Sequence, residues 1–105
     1  MSWQVYIIRC TDGTLYTGIT VDVMRRFYQH RDNQGAKYFR GRCPERLVYV
    51  EMGHDRSSAS KREHRIKKLS RHEKLQLLVS ECNRVESFLA TTHLRGGKVL
   101  PNGLA

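Results

Sequence analysis

The chain has 105 residues, with 19 Lys and Arg against 10 Asp and Glu and a formal charge of +9. That length favours one domain with a modest core, burying roughly 60–65% of the surface its unfolded chain exposes. The charge points to a polyanion partner, nucleic acid first. No apolar run approaches the ~20 residues that cross a bilayer.

Cys10, Cys43 and Cys82 are far apart, odd in number and form no Cys-x-x-Cys pair. A disulfide framework or a zinc site is therefore not expected, and a reducing cytosol is the simplest setting. The N-terminus enters a strand pattern directly, without a basic-then-apolar signal region. The expectation is a soluble cytoplasmic protein.

Trp3 to Ile8 and Thr14 to Thr20 are β-branched and aromatic, and they flank Thr11-Asp12-Gly13. They read as two antiparallel strands joined by a tight turn, with Gly13 supplying positive φ. Gly18 interrupts the second strand. A glycine there suits a β-bulge, or a place where a phosphate approaches the backbone beside Tyr16. A helix follows over residues 21–31, opened by Thr20 or Asp22. Val23 and Phe27 face the sheet, while Arg26 and His30 share a neighbouring stripe one turn apart.

Residues 32–46 read as loop, punctuated by Gly35, Gly41 and Pro44. Lys37, Tyr38, Phe39, Arg40 and Arg42 interleave rings with cations, a composition suited to bases and phosphates. Leu47 to Glu51 is the third strand, apolar enough to be central or well covered, and Gly53 ends it. A second helix, capped by Asp55, Ser57 or Ser58, runs to about Leu69. Ala59, Glu63 and Ile66 share its inward stripe. A carboxylate there is costly to desolvate unless it is paired, with Arg26 for example, or bound to a metal. Ser70-Arg71-His72-Glu73 is a capping box that starts a third helix. A helical pattern continues weakly through Val85, Phe88 and Leu89. From about Thr91 the sequence has no periodicity and reads as a flexible tail. The domain is expected over residues 1–82 and a C-terminal extension over 83–105.

Val5-Tyr6-Ile7, Tyr16-Thr17-Gly18, Arg26, His30 and Glu63, in that order, resemble the GIY-YIG nuclease superfamily. The small stand-alone bacterial (YhbQ-like) branch is the most similar. It shares the Leu15 to Thr20 run, Gly35-Ala36-Lys37-Tyr38 and Asp55-Arg56-Ser57. The chain departs from the name motif at Val5 and Thr17, where the family often has Gly and Ile. The resemblance implies an α+β fold, a small three-stranded antiparallel sheet flanked by helices in β-β-α-β-α-α order.

The resemblance also implies the roles. Tyr6 would be general base for an attacking water, although a free phenol has a pKa of about 10 and needs nearby positive charge to favour its phenolate. His30 would receive a proton from Tyr6, Arg26 would clamp the scissile phosphate, and Tyr16 would bond the phosphate or the water. Glu63 would hold one Mg²⁺, or Mn²⁺ in its place, leaving a 5′-phosphate and a 3′-hydroxyl. Asn83 lies further along than a metal-site Asn of the family would, and is not assigned. His54 reads as a turn residue. The aromatic-basic loop favours single-stranded DNA. The competing classes are a non-catalytic or partner-dependent nucleic-acid-binding module, and a nuclease for branched DNA or RNA.

Overall fold

The structure is a computed structural model that describes residues 2–32 and 43–94, with side chains up to residue 90. The aromatic-basic loop residues Lys37, Tyr38, Phe39, Arg40 and Arg42 lie outside the described residues, as does most of the C-terminal tail.

The chain runs β1 (Trp3–Cys10), β2 (Leu15–Thr20), α1 (Val23–Arg31), β3 (Pro44–His54), α2 (Arg56–Lys67), α3 (Arg71–Leu78) and α4 (Val85–Leu94). The three strands form one antiparallel sheet in the order β2-β1-β3. The expected α+β class and the first six elements are therefore present in the expected order.

β1 and β2 pair in unbroken register from Gln4↔Thr20 to Arg9↔Leu15. Their turn is built by Gly13 at φ +85° and by the Asp12 carboxylate, which accepts from the Thr14 backbone N–H and hydroxyl. Asp22 caps α1 by accepting from Arg25 N. Asp55 and Ser58 form a capping box on α2, as Ser70 and Glu73 do on α3.

β3 corrects two expectations. It extends from Pro44 to His54, well beyond Leu47 to Glu51. Pro44 is tolerated because it is the first residue of an edge strand, where a missing donor breaks little. Gly53 does not end the strand. Trp3 pairs His54 while Val5 pairs Glu51, so β3 carries an extra residue there, and Gly53 sits at φ +85°. That is a bulge taken up by the glycine. The bulge that Gly18 suggested is absent, since Gly18 pairs regularly with Tyr6.

β1 is central and buried on both faces. Tyr6, Ile8 and Cys10 pack with Val23, Phe27, Leu47 and Val50, and Val85, Phe88 and Leu89 of α4 cover that side. Val5 and Ile7 pack with Tyr49, Ala59 and Ile66 on the other, beside Leu77 and Leu78. Asn83 ties α4 down. Its Nδ2 donates to Val48 O and Leu78 O, and its Oδ1 accepts from Val50 N and Val85 N. This amide is a structural clamp with no carboxylate beside it in those bonds. No helix among the described residues is long and apolar enough to cross a membrane.

Candidate active site beside strand β2

Alternation along β1 sends Tyr6 to the α1 face, and four-residue spacing on α1 brings Arg26 and His30 up to it. Tyr6 Oη lies 2.9 Å from His30 Nε2 in a buried hydrogen bond. Tyr6 is 1% and His30 0% exposed, so solvent does not compete for that bond. The Tyr16 ring stands edge-on to the His30 ring at 5.3 Å and lies 6.2 Å from the Tyr6 ring. Arg26 is half-buried, and its Nη1 donates to Gln29 Oε1 at 3.1 Å.

Gly18 explains how Tyr6 reaches this position. A Cβ at residue 18 would lie 2.5 Å from Tyr6 Oη and 2.7 Å from its Cζ. Tyr6 therefore lays its ring across the β2 backbone where a side chain would stand. The space expected for a phosphate at Gly18 is filled by the phenol itself. This cradle was not anticipated from the sequence, because it needs the cross-strand pair Tyr6↔Gly18 as well as the glycine.

Glu63 lies on the sheet-facing side of α2 between buried Ala59 and Ile66, with its side chain 22% exposed. Its partner is Lys67 at 3.2 Å, one turn on, and not the Arg26 that the ion-pair alternative invoked. Burial raises the pKa of both Tyr6 and Tyr16; the Glu63 charge adds to the rise at each, and Lys67 opposes it at Tyr16. Tyr6, Tyr16, Arg26 and His30 thus gather around one phenol, while Glu63, with Lys67 unforeseen beside it, acts on that group from α2 through its charge.

Burial, then the charge of Tyr16, pushes the Tyr6 phenol well above its ordinary range, although Arg26 pulls it down. The positive charge meant to favour a phenolate is present but outweighed. Burial, and then Arg26, lowers the His30 pKa to about 4. His30 is therefore a neutral imidazole at physiological pH, and the natural hydrogen bond has Tyr6 Oη donating to an unprotonated Nε2.

A second polar cluster braces α2. Glu51 accepts from Tyr49 Oη and from Arg62 Nε, and His54 Nε2 lies 2.6 Å from it. His54 Nδ1 reaches Ser58 Oγ, so His54 is the end of β3, fastened to the first turn of α2. Burial alone would raise the Glu51 pKa, but the bonds from Tyr49 and His54 and the charge of Arg62 hold it below the usual range. This network fixes the rotation of α2 against β3, and so the placing of Glu63, the residue after Arg62.

The three-stranded sheet thus carries a buried Tyr–His pair, an arginine beside it and one carboxylate on the next helix. The chain belongs to the GIY-YIG family, whose catalytic-domain model matches residues 2–76. It is 56% identical over 70 residues to a UPF0213 protein of Desulfotalea psychrophila, covering 66% of this chain and 64% of that one. It is 38% identical to a UPF0213 protein of Photorhabdus laumondii over 91% of this chain and 90% of that one. The solution NMR structure of a UPF0213 protein from Bacillus halodurans matches with a TM-score of 0.52 at 42% identity, covering 90% of this chain and 97% of that one. The family marks the chain as nuclease-related.

Proposed function

We propose that the protein is a metal-dependent endonuclease that hydrolyses DNA phosphodiester bonds, with a preference for single strands. The observation that carries the reading is the buried 2.9 Å contact of Tyr6 with a neutral His30. A buried phenol with a raised pKa is a poor phenolate but a competent relay. As Tyr6 Oη accepts a proton from the attacking water, it passes its own to His30 Nε2, and the phenol never carries full charge.

Arg26 prepares this step. Its planar fork suits two oxygens of the scissile phosphate. Once it is paired with that anion, Arg26 no longer depresses His30, one of whose two causes of lowered pKa is the Arg26 charge. Substrate binding then makes His30 more basic at the moment a base is needed. Tyr16, edge-on to His30, is placed to donate to a phosphate oxygen or to orient the water.

The donor set fits a hard divalent ion. Among the described residues no three His, Cys, Asp or Glu side chains gather to hold a metal. A lone carboxylate at Glu63 suits Mg²⁺, or Mn²⁺, because such ions keep several waters and share phosphate oxygens. When bound there the ion would stabilise the leaving 3′-oxygen, giving a 5′-phosphate and a 3′-hydroxyl. The single-strand preference rests on the pairing of cations with aromatic side chains, which stack on bases only when the bases are free.

The test is cleavage of a labelled single-stranded oligonucleotide and its duplex with and without Mg²⁺, beside Glu63→Ala and Tyr6→Phe. Metal-dependent cutting of the single strand, lost in both variants, is the expected result. Binding of both substrates without cutting by the unaltered protein would overturn the enzyme reading, and equal rates on both would overturn the preference.

A further inference from the structure

An open pocket of about 280 Å³ adjoins the site beyond Arg26, at the end of β2 and the start of α1. Trp3, Ile19, Val21, Arg25, Arg26 and Gln29 line it. We propose that this pocket receives the nucleotide next to the scissile phosphate, with its base against Trp3 and its outer phosphate at Arg25. The inference rests on the nuclease reading and names the part of the substrate that this surface holds.

Four observations converge on it. First, Arg26 is shared: the residue placed to clamp the phosphate forms one wall, so the adjoining sugar and base lie within its reach. Second, the lining is mixed in the manner of a nucleotide site. Trp3, Ile19 and Val21 offer ring and aliphatic surface, and Val21 is 37% exposed. Arg25 is exposed on the first turn of α1, and its cation and that of Arg26 stand against the one carboxylate of the lining, Asp22, which caps the helix through Arg25 N. Third, Arg56, which lies outside the pocket lining, stands 5.7 Å over the Trp3 ring and adds a further cation near the indole. Fourth, the volume lies just below the roughly 300–1,000 Å³ of small-molecule pockets. That is room for one base and not for a base pair, so a nucleotide must be unpaired to enter.

The chain contains one tryptophan, so its emission reports on the surroundings of Trp3, this pocket among them. The experiment titrates the unaltered protein, in chelator to prevent cleavage, with a short oligothymidylate. It follows tryptophan emission together with the anisotropy of the labelled oligomer. Saturable quenching that tracks binding is expected, and inorganic phosphate alone should leave the emission unchanged. Trp3→Ala should weaken binding roughly 5- to 150-fold, the loss of one base stack. Arg25→Ala should reduce the salt slope by about 0.7, one single-strand phosphate contact.

Trp3 also packs against the core, so a poorly folded Trp3→Ala leaves the decision to the quenching of the unaltered protein and to Arg25→Ala. An oligomer that binds with unchanged emission and an unchanged salt slope in Arg25→Ala overturns the pocket while leaving the nuclease reading intact. Failure to bind the oligomer by a protein that still cuts duplex DNA overturns it equally.

Discussion

Gly18→Ala isolates the packing device on which the site depends. Gly18 lies in regular strand register and its φ is not positive, so alanine meets no backbone objection. Removing a glycine from a strand interior would by itself stabilise by about 0.5–1 kcal/mol. Against that, the new Cβ would stand 2.5 Å from Tyr6 Oη and 2.7 Å from Cζ, inside any real contact distance. The ring must swing away. Overpacking of this sort costs about 1–3 kcal/mol. Breaking the Tyr6–His30 bond strands two buried polar groups, for about another 1–3 kcal/mol. The balance is a loss of about 1–5 kcal/mol, against a fold of about 5–15 kcal/mol. For a domain near this size each kcal/mol lowers Tm by about 4–8 °C.

The assay pairs thermal melting with cleavage measured well below the melting point. Gly18→Ala should melt at least about 4 °C lower, and cleavage per folded molecule should fall by about 10²–10⁴, the worth of a proton-transfer group. Gly13→Ala is the control. Gly13 sits at φ +85°, and a Cβ there would meet nothing within 4 Å, so it should lose about 1 kcal/mol of stability and no cleavage. A Gly18→Ala protein that melts at or above the unaltered one and cuts normally would refute the cradle. The thermal arm does not depend on the nuclease reading.

His30 makes stability depend on pH in a defined window. Its folded pKa of about 4 lies below its ordinary value of 6.5, so its contribution is complete above pH 6.5 and is lost as pH falls towards 4. Stability should drop there by up to about 1.4 kcal/mol per pH unit. Urea melts of the unaltered protein and His30→Asn should differ by this slope in the upper part of the window, before the depressed Glu51, Asp55 and Glu73 carboxylates add their own acid loss to both; parallel profiles would refute the assignment. Thr17 is 3% exposed and its Oγ1 has no hydrogen-bond partner among the described residues. Thr17→Val should therefore stabilise by about 1 kcal/mol, seen as a Tm rise of about 4 °C or more, and an unchanged or lower Tm would show that the hydroxyl is satisfied. Asn83→Asp loses two donors to Val48 O and Leu78 O and turns a carboxylate on two carbonyls. It should cost about 2–4 kcal/mol, with hydrogen exchange accelerating first in α4; uniform exchange would argue against a local clamp.

The hairpin and the first three helices were legible because their signals are local. An Asp-Gly turn, an Asp N-cap and a Ser–Glu capping box each act within four residues, and each stands where the sequence put it. The third strand was only half legible. Gly53 looked like a terminator because a glycine that bulges and a glycine that ends a strand are the same letter. Only the register against Trp3 and Val5 tells them apart. Asn83 shows the same limit. Its four bonds reach residues as far as 35 positions away, and nothing in its neighbours announces a clamp.

The candidate site divides along the same line. Which residues share a helix face follows from spacing, so Arg26 with His30 and Glu63 with Ala59 and Ile66 could be paired from the sequence. What the spacing could not supply is the balance of charge and burial. The sequence invites a phenolate at Tyr6, since Arg26 is near. The structure buries Tyr6 so deeply that desolvation outweighs that cation, and the same burial keeps His30 neutral. Two groups, each unsuited alone to hold a charge, then suit a shared proton. Burial penalises phenolate and imidazolium alike, so it favours the state in which neither is charged before substrate arrives. An anion at Arg26 removes part of the penalty on His30 alone. On this reasoning the site is idle until an anion such as a phosphate pairs with Arg26.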